Sequence, residues 1–437
     1  MATSLGAGFS TPMAFGGFVA LFAVAGVLVL WYESPQHRRW RALVRRWLGR
    51  LIGREDLDWV DVRLLTALAA GAFLAGALVT WATGGYACIP AGPSDLTTLV
   101  TSGQAFWRGG DPFTITACGL AGNPVPAGLA SVLLDALGSV AGGAGVLAVW
   151  GAVSVAVVPL LWALGGADRR VATVFLLGSL LYLPIVAAQV DGASLALVPF
   201  AALLTVYLAR RGWLRAAAVG GFLATGRFPA LFPILGASGR AGSRRILAGL
   251  TALGTFGALS VATYAAYGSR FTGPVFWAQF GRSHLALNYW GLLQGEGWLA
   301  PSTTVTVVQA ILTAALVAVA WGWARSELGA IAIVLTGALL LAQFLSFTEL
   351  VFLVPVALLG SRARWWLWAI GVVASTNYLL AMRSLEGLGG PSRLSYGLDL
   401  LLTALLVGLL VELFRAELRN PGPAAGLPVL EAALSGP

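Results

Sequence analysis

The stretch GAGVLAVWGAVSVAVVPLLWAL, residues 143–164, carries no charged side chain and is long enough to cross a lipid bilayer as one helix. A spanning helix needs about 20 apolar residues, because its backbone polar groups must be satisfied within the helix. The 437-residue chain as a whole is 58% hydrophobic and 10% charged, with a mean hydropathy of +0.84. Soluble domains carry about 25% charged residues. The composition therefore excludes an ordinary soluble protein and predicts an all-α polytopic membrane protein.

Outward from this stretch, apolar runs predict about 12–13 transmembrane or half-spanning helices. The runs cover residues 13–32, 62–83, 143–164, 171–187, 193–209, 213–225, 227–237, 246–267, 302–323, 328–344, 350–361, 365–382 and 395–414. The runs 213–225 and 227–237 are too short to span singly. We expect them to form a broken pair around Gly226 and Arg227, because a membrane tolerates a helix break where it lines a cavity or packs inside protein.

The arginines give the orientation of these helices. All 27 basic residues are arginine, and the loop 37–61 is rich in them. If that loop is cytoplasmic, alternation places every arginine on the cytoplasmic side except Arg108, Arg227, Arg270, Arg282, Arg383 and Arg393, as the positive-inside rule requires. We therefore expect a multi-pass protein of the plasma (inner) membrane, with its N-terminus outside and its C-terminus in the cytoplasm. Membrane orientation also explains the net charge of +9, so no nucleic-acid partner is expected.

The same topology predicts three regions. Residues 1–61 form an extra N-terminal span and a basic interfacial helix, residues 62–414 form the membrane core, and residues 415–437 form a cytoplasmic tail, expected to be disordered. Two long loops, 85–142 and 268–301, lie on the extracytoplasmic side. Cys88 and Cys118 both fall in the first of these loops. An oxidising compartment permits a disulfide between them, and the sequence leaves open whether it forms.

Polar residues beside apolar runs are the candidates for function, because charges are costly within a bilayer. Ser94 is expected to cap a helix that runs to Gly109, which places Asp95 in its first turn. Asp95 is therefore either a charge that stabilises the helix start or a functional carboxylate. Asp111 and Pro112 by themselves indicate a turn.

Further candidates are spread along the chain. Gln189 and Asp191 form either a polar turn between two runs or part of a site. Arg227 is either a snorkelling side chain or a planar fork suited to phosphate. The remaining candidates are Arg270, Arg282, His284 and Asn288 in the second outer loop, and Glu349 before the run 350–361. No histidine, cysteine and carboxylate group has metal-ligand spacing, and no nucleotide-binding motif is present, so neither a metal nor a cofactor is expected.

The order of these motifs resembles a known family. Asp95 followed by the string 110–113 (GDPF) resembles the first outer loop of GT-C membrane glycosyltransferases, most closely the polyprenyl-phosphate-mannose-dependent α-mannosyltransferases of actinobacteria. The string 188–191 (AQVD) is similar to the family's Gly-Gln-x-Asn/Asp step, with alanine in place of glycine. The string 226–229 (GRFP) resembles its basic-x-x-Pro segment. Thr348 and Glu349 stand where the family often has a histidine.

The resemblance implies a GT-C-like bundle that transfers a sugar, mannose first, from a polyprenyl-phosphate donor to a glycolipid or cell-envelope glycan on the extracytoplasmic side. It implies Asp95 as the base of an inverting displacement. It also implies Arg227, Arg270, Arg282 and His284 as ligands of the donor phosphate, and Asp111, Gln189, Asp191, Asn288 and Glu349 as ligands of the sugar or acceptor. A membrane transporter or lipid flippase and a non-catalytic GT-C-like subunit are the alternatives, and the oligomeric state is left open.

Overall fold

The computed structural model describes most of the predicted membrane core. The described residues are 62–82, 95–117, 120–124, 128–164, 194–268, 271, 289, 293, 303–342, 347–359, 361–385 and 393–419. Within these ranges the α-helices are α1 (Val62–Ala82), α2 (Asp95–Trp107), α3 (Leu129–Ser139), α4 (Gly142–Leu164), α5 (Leu197–Ala209), α6 (Trp213–Ala224), α7 (Leu231–Ser238), α8 (Arg245–Tyr267), α9 (Thr303–Trp323), α10 (Glu327–Leu341), α11 (Ser361–Leu385) and α12 (Arg393–Arg419). Short 3-10 helices cover Phe228–Ala230 and Gly242–Arg244, and a longer one covers Phe347–Leu359.

Most helices begin and end close to the predicted apolar runs. The predicted broken pair is confirmed, because α6 and α7 are separate helices joined through residues 225–230. The predicted run 350–361 forms a 3-10 helix that contains Pro355, a residue that removes a backbone donor. The predicted tail boundary at 415 falls inside α12, which continues to Arg419. The runs 13–32 and 171–187 lie outside the described residues.

Within the part of the chain that the structure describes, three helical segments are long and apolar enough to cross a membrane: Gly142–Leu164, Gly242–Tyr267 and Leu394–Glu417. Shorter apolar helices pack around them. The flanks of the second and third segments expose large apolar side chains, among them Ile246, Val261 and Leu400. Such surfaces fit contact with lipid rather than water. The described residues therefore define a helical membrane protein.

Helix α10 lies at the centre of the largest core. Its residues from Gly329 to Leu339 are buried nearly all round, and it packs against α7, α9, α12 and the 3-10 helix Phe347–Leu359. A helix that is apolar on every face belongs in the interior. Its N-terminus is fixed by Glu417 of α12, whose carboxylate accepts hydrogen bonds from the backbone amide of Arg325 (2.6 Å) and from both the amide (3.1 Å) and the hydroxyl (2.9 Å) of Ser326.

The first outer loop, predicted as residues 85–142, contains more structure than the sequence suggested. It contains an antiparallel hairpin of β1 (Thr114–Ala117) and β2 (Leu120–Pro124), in which Ile115 pairs with Asn123, and this hairpin was not predicted. Helix α3 was also not predicted. It spans only 11 residues, too few to cross a membrane, so a search by span length misses it. Its stability comes from packing against α2 and α4.

Candidate functional site

Asp95 is the first residue of α2, as the sequence predicted. Its neighbour Leu96 lies next to the beginning of α4: a Cβ atom on Gly143 would be 3.5 Å from Leu96 Cδ2. The helix ends at Trp107. Gly109 follows with a φ of +68°, and the Gly110 amide donates to the Ala105 carbonyl at 2.8 Å, which is a common way to end a helix.

Asp111 forms the turn that its sequence indicated. Its Oδ1 accepts a hydrogen bond from the backbone amide of Phe113 at 2.9 Å, a standard role for aspartate in turns. The Pro112 carbonyl accepts from the buried Ser102 hydroxyl at 2.8 Å, which ties the turn back to α2. This segment therefore positions β1 and the buried ring of Phe113.

The break between α6 and α7 is built around Thr225, Gly226 and Arg227. Thr225 ends α6, and its hydroxyl donates to the Phe222 carbonyl at 2.6 Å. Arg227 adopts an extended backbone conformation (φ −144°, ψ 104°) before the turn Phe228–Ala230. Proline at 229 cannot donate a helical hydrogen bond. The chain therefore leaves one helix and starts another at the position of the arginine.

The break holds the N-terminus of α3. The Gly226 carbonyl accepts from the Gly128 amide (3.2 Å) and from the Ser131 hydroxyl (3.0 Å). The Thr225 hydroxyl accepts from the Ala130 amide at 3.2 Å. Because the first amides of a helix have no partner within the helix, these bonds complete α3 with groups that the break in α6–α7 has released.

Arg227 is enclosed in the protein. Only 8% of its surface is exposed, and its Nη2 donates a hydrogen bond to the hydroxyl of Ser194, which is 3% exposed. A buried cation is costly unless it is paired or hydrogen-bonded. The alternative interpretation of Arg227 as a snorkelling surface residue is therefore wrong: its side chain is directed into the protein.

A buried carboxyl group, Asp135 of α3, lies near Arg227. Asp135 is fully buried, and its Oδ1 accepts a hydrogen bond from the Trp150 indole N–H at 2.8 Å. Its Oδ2 accepts no hydrogen bond from the described residues. Helix α2 packs tightly over this site, since a Cβ atom on Gly103 would lie 2.4 Å from the Asp135 carbonyl oxygen.

Burial raises the pKa of Asp135 from 3.8 to about 8, although the Trp150 hydrogen bond and the positive charge of Arg227 both act to lower it. Removal from water disfavours the charged form of a carboxyl group, whereas a nearby cation favours it. Near neutral pH the side chain therefore holds a proton. A strongly shifted carboxyl group beside a buried cation is typical of functional sites.

Asp95 and Arg227 lie at opposite ends of α3. The start of α2 adjoins the start of α4, which follows the C-terminal end of α3, whereas the break touches the N-terminal end of α3. An 11-residue helix rises about 16 Å. The backbone segments that carry the two predicted residues therefore lie near different ends of α3, the helix that contains Asp135.

An apolar groove includes Leu96, the second residue of α2, in its lining. It has a volume of about 900 Å³, lies between α1 and α4, and is lined by residues that include Phe73, Leu78, Trp81, Leu96 and Leu147. The groove runs alongside two helices and reaches the first turn of α2. Its lining suits a hydrocarbon chain better than a polar ligand.

Of the remaining predicted site residues, one lies in the part of the chain that the structure describes and the others lie outside it. Glu349 lies in the 3-10 helix Phe347–Leu359 and is half-buried. The predictions for Cys88, Cys118, Gln189, Asp191, Arg270, Arg282, His284 and Asn288 fall outside the described residues.

Sequence reasoning missed two buried polar groups. Asp135 was detectable from the sequence, because it is a carboxylate inside the apolar run LASVLLDALGS, residues 129–139. The other group joins α11 to α12: Asn377 donates its amide N–H to Asp399 Oδ1 and accepts from the Ser395 hydroxyl at 2.8 Å. Asp399 was detectable in the same way, as an acid within an apolar helix. Among the described residues, no three histidine, cysteine or acidic side chains are grouped to hold a metal.

No family model matches the sequence, and no curated protein or solved structure is detectably similar to the chain. The class of the protein is therefore inferred from its own sequence and structure. It is a helical membrane protein with a broken helix pair and a buried arginine and aspartic acid beside the break.

Proposed function

We propose that this protein is an integral membrane glycosyltransferase that moves a sugar, mannose first, from a polyprenyl-phosphate donor to a hydroxyl group of a glycolipid or cell-envelope glycan. In this proposal the protein is multi-pass in the plasma membrane and the reaction takes place on its extracytoplasmic side. The observation that carries the proposal is the buried Arg227 at the break between α6 and α7.

Arg227 is suited to the phosphate of a lipid-linked donor. Its guanidinium group is planar, always charged and able to bind two phosphate oxygens at once. Because the arginine is largely removed from water, its attraction for an anion is stronger than at a surface. Ser194 holds one side of the guanidinium group through Nη2, which limits the orientations that the rest of the group can take.

The apolar groove supports a lipid-linked substrate. It lies between α1 and α4, and Leu96, the residue after Asp95, is part of its lining. A polyprenyl chain or the lipid part of an acceptor would bury apolar surface there, at about 25 cal/mol per Å² removed from water. This arrangement favours a substrate with a hydrocarbon tail over a small soluble sugar.

Asp95 is the proposed base. It would remove a proton from the acceptor hydroxyl as that oxygen attacks the anomeric carbon, while the sugar–phosphate bond breaks and the phosphate leaves with the bonding electrons. Arg227 would stabilise the negative charge on the departing phosphate. Since the two residues lie near opposite ends of α3, the sugar and its phosphate would extend alongside this helix from one end to the other.

A turnover assay in lipid nanodiscs tests the proposal. Wild-type protein is incubated with a panel of polyprenyl-phosphate sugars and a cell-envelope glycolipid fraction, and the products are identified by mass spectrometry. We expect sugar transfer by the wild type, no transfer by Asp95→Asn, and donor binding by both. Near-normal transfer by Asp95→Asn would exclude Asp95 as the base.

The matched control is Glu327→Gln. Glu327 is also the first residue of an α-helix, so this variant removes a carboxylate from a helix start without touching the site. We expect its transfer rate to stay within about twofold of the wild type, because a helix-terminal charge contributes about 0.3–1 kcal/mol. Absence of both transfer and donor binding with every sugar in the wild type would contradict the proposed function.

A transporter or lipid flippase is the second candidate, and the broken α6–α7 pair favours it specifically. Transporters often place substrate sites where helices are interrupted near the middle of the membrane. The test is movement of a fluorescent polyprenyl phosphate between the leaflets of a vesicle. Flipping without any sugar transfer would support this candidate over the enzyme.

A further inference from the structure

Asp135 is a buried acid that the proposed reaction does not use. It is fully buried, one of its oxygens is held by Trp150, and the other accepts no hydrogen bond from the described residues. A group of this kind gains no stability from water. Burial therefore favours the protonated form of Asp135, whereas the Trp150 hydrogen bond and the charge of Arg227 favour the ionised form.

Arg227 is the charge that acts on Asp135. The elements packed against α3 carry other ionisable residues, namely Asp95 and Arg108 on or beside α2, Asp111 in the following turn, Arg215 on α6, and Arg245, Tyr264 and Tyr267 on α8. Helix α4 carries none. Of the charged residues, it is Arg227 whose positive charge favours the ionised form of Asp135.

The same contacts that complete α3 bring these two residues together. Gly128, Ala130 and Ser131 hydrogen-bond to Thr225 and Gly226, directly before Arg227. Asp135 follows Ser131 by one helical turn on the same face of α3. The positions of the acid and the arginine are therefore fixed relative to each other by the backbone.

We propose that Asp135 is the proton-carrying counter-ion of Arg227, taking up one proton from solvent when an anionic group binds beside the arginine and releasing it when the anion leaves. The proposal rests on the proposed function only for the identity of that anion, the donor phosphate. Above a pH of about 8 the empty site holds an ionised Asp135, whose charge cancels that of Arg227, whereas below it Asp135 already carries the proton and none is taken up. When a singly charged anion is bound, it cancels Arg227 instead, and protonation of Asp135 Oδ2 keeps the buried charge at zero.

Infrared spectroscopy of the ligand-free protein tests the coupling without any donor. The C=O stretch of protonated carboxyl groups is followed against pH, and the contribution of Asp135 is assigned by its loss in Asp135→Asn. The Arg227→Gln variant removes the positive charge of residue 227. Its electrostatic effect on Asp135 is therefore the same in direction as that of an anion bound to Arg227. We expect the Asp135 titration to move upward by about one pH unit or more, the size of effect that an adjacent opposite charge has.

Arg240→Gln is the matched control. Arg240 is half-buried and donates to a backbone carbonyl, that of Trp321, at 2.6 Å, but it does not act on Asp135. This variant should leave the titration unchanged. The proposal is overturned if Arg227→Gln does not move the titration, or if no titrating band is lost in Asp135→Asn.

The pH dependence of donor binding gives a second test that does not need the Arg227 variant to fold. The probe is polyprenyl-phosphate-mannose in nanodiscs of zwitterionic lipid, because its phosphodiester keeps one constant charge. We expect wild-type affinity to fall up to about tenfold per pH unit above pH about 8, since binding then requires uptake of a proton. Asp135→Asn mimics the protonated state and should bind with a constant affinity, and more tightly than the wild type at high pH.

The outcomes separate the two proposals. A wild-type pH dependence that persists in Asp135→Asn overturns the counter-ion role, whatever the activity. If the wild type binds no polyprenyl-phosphate sugar at any pH, the proposed function fails. The infrared shift on removal of the Arg227 charge then still decides whether Asp135 is its counter-ion.

Discussion

Gly128 and Thr225 approach so closely that a Cβ atom on Gly128 would lie 1.5 Å from the Thr225 carbonyl oxygen. The two residues belong to segments that are far apart in sequence, the start of α3 and the end of α6. Their contact allows the Gly128 amide to donate to the Gly226 carbonyl. The buried acid and the buried arginine are held beside each other by this junction.

Gly128→Ala should therefore destabilise the protein. The backbone of Gly128 (φ −104°, ψ −171°) suits alanine, so the cost arises only from the collision with Thr225. Overpacking of this kind costs about 1–3 kcal/mol or more. The measurement is the half-life of the folded protein at a fixed elevated temperature in detergent, because membrane proteins often unfold irreversibly.

Gly254→Ala is the control for this substitution. Gly254 lies within α8, and nothing is within 4 Å of its hypothetical Cβ atom. Alanine has a higher helix propensity than glycine, by about 1 kcal/mol, so the half-life should be unchanged or longer. An equal loss in both variants would show that the Gly128 junction is not tightly packed.

The pH dependence of stability should reveal Asp135. Its pKa is about 8 in the folded protein, against 3.8 for an exposed aspartic acid. Between these values the unfolded chain has released the proton that the folded protein keeps, so the contribution of Asp135 to stability falls as pH rises from about 4 to about 8. Unfolding rates measured across this range should depend less on pH in Asp135→Asn than in the wild type. An unchanged profile would exclude a buried, titrating Asp135.

Trp150→Phe should raise the pKa of Asp135 further. The indole N–H donates to Asp135 Oδ1 and stabilises the ionised form, and phenylalanine removes that donor while keeping an aromatic ring. The infrared titration described above measures the shift. Trp162→Phe on the same helix α4 is the control, since Trp162 does not hydrogen-bond to Asp135. A shift in the opposite direction would mean that the indole does not stabilise the carboxylate.

Glu417 and Gly329 should behave as a coupled pair. The Glu417 carboxylate accepts three hydrogen bonds at the start of α10, and a Cβ atom on Gly329 would lie 2.0 Å from its Oε1. Glu417→Ala should cost about 1–3 kcal/mol, because it leaves partly buried donors without acceptors. Gly329→Ala should also be destabilising in the wild type.

A double-mutant cycle measures this coupling. Once Glu417 has been truncated, the methyl group of Gly329→Ala has space, so its cost should fall by about 0.5–3 kcal/mol, the range found for residues in contact. Half-lives of the four proteins at one temperature provide the comparison. Simple additivity would contradict the packing of Glu417 over Gly329.

Much of the helical framework was predictable from the sequence. Residues 143–164 and 246–267 were expected to form helices, and α4 and α8 begin and end within one residue of these bounds. The start of α2 at Asp95 and the break at Arg227 were also predicted. These features are local, because a proline, a glycine or an uninterrupted apolar run acts on the backbone within a few residues.

The candidate site was predicted only in part. Arg227 was selected as a phosphate ligand, but its enclosure with Ser194 was not expected, and Asp135 was not considered at all. In the first outer loop only the helix that starts near Asp95 was predicted, whereas α3 and the β1–β2 hairpin of the same loop were not. Short elements of this kind are stabilised by their neighbours, and their sequences alone are too brief to show it.

The sequence by itself determined that the chain is helical, that it enters a membrane and where its main helices begin and end, because a bilayer requires each segment to satisfy its own backbone and to expose apolar side chains. The tertiary structure alone decided that Asp135 meets Trp150 and lies under the influence of Arg227. That arrangement depends on how α3 packs against α4 and the α6–α7 break, and the packing of distant segments is not written in the local pattern of either one.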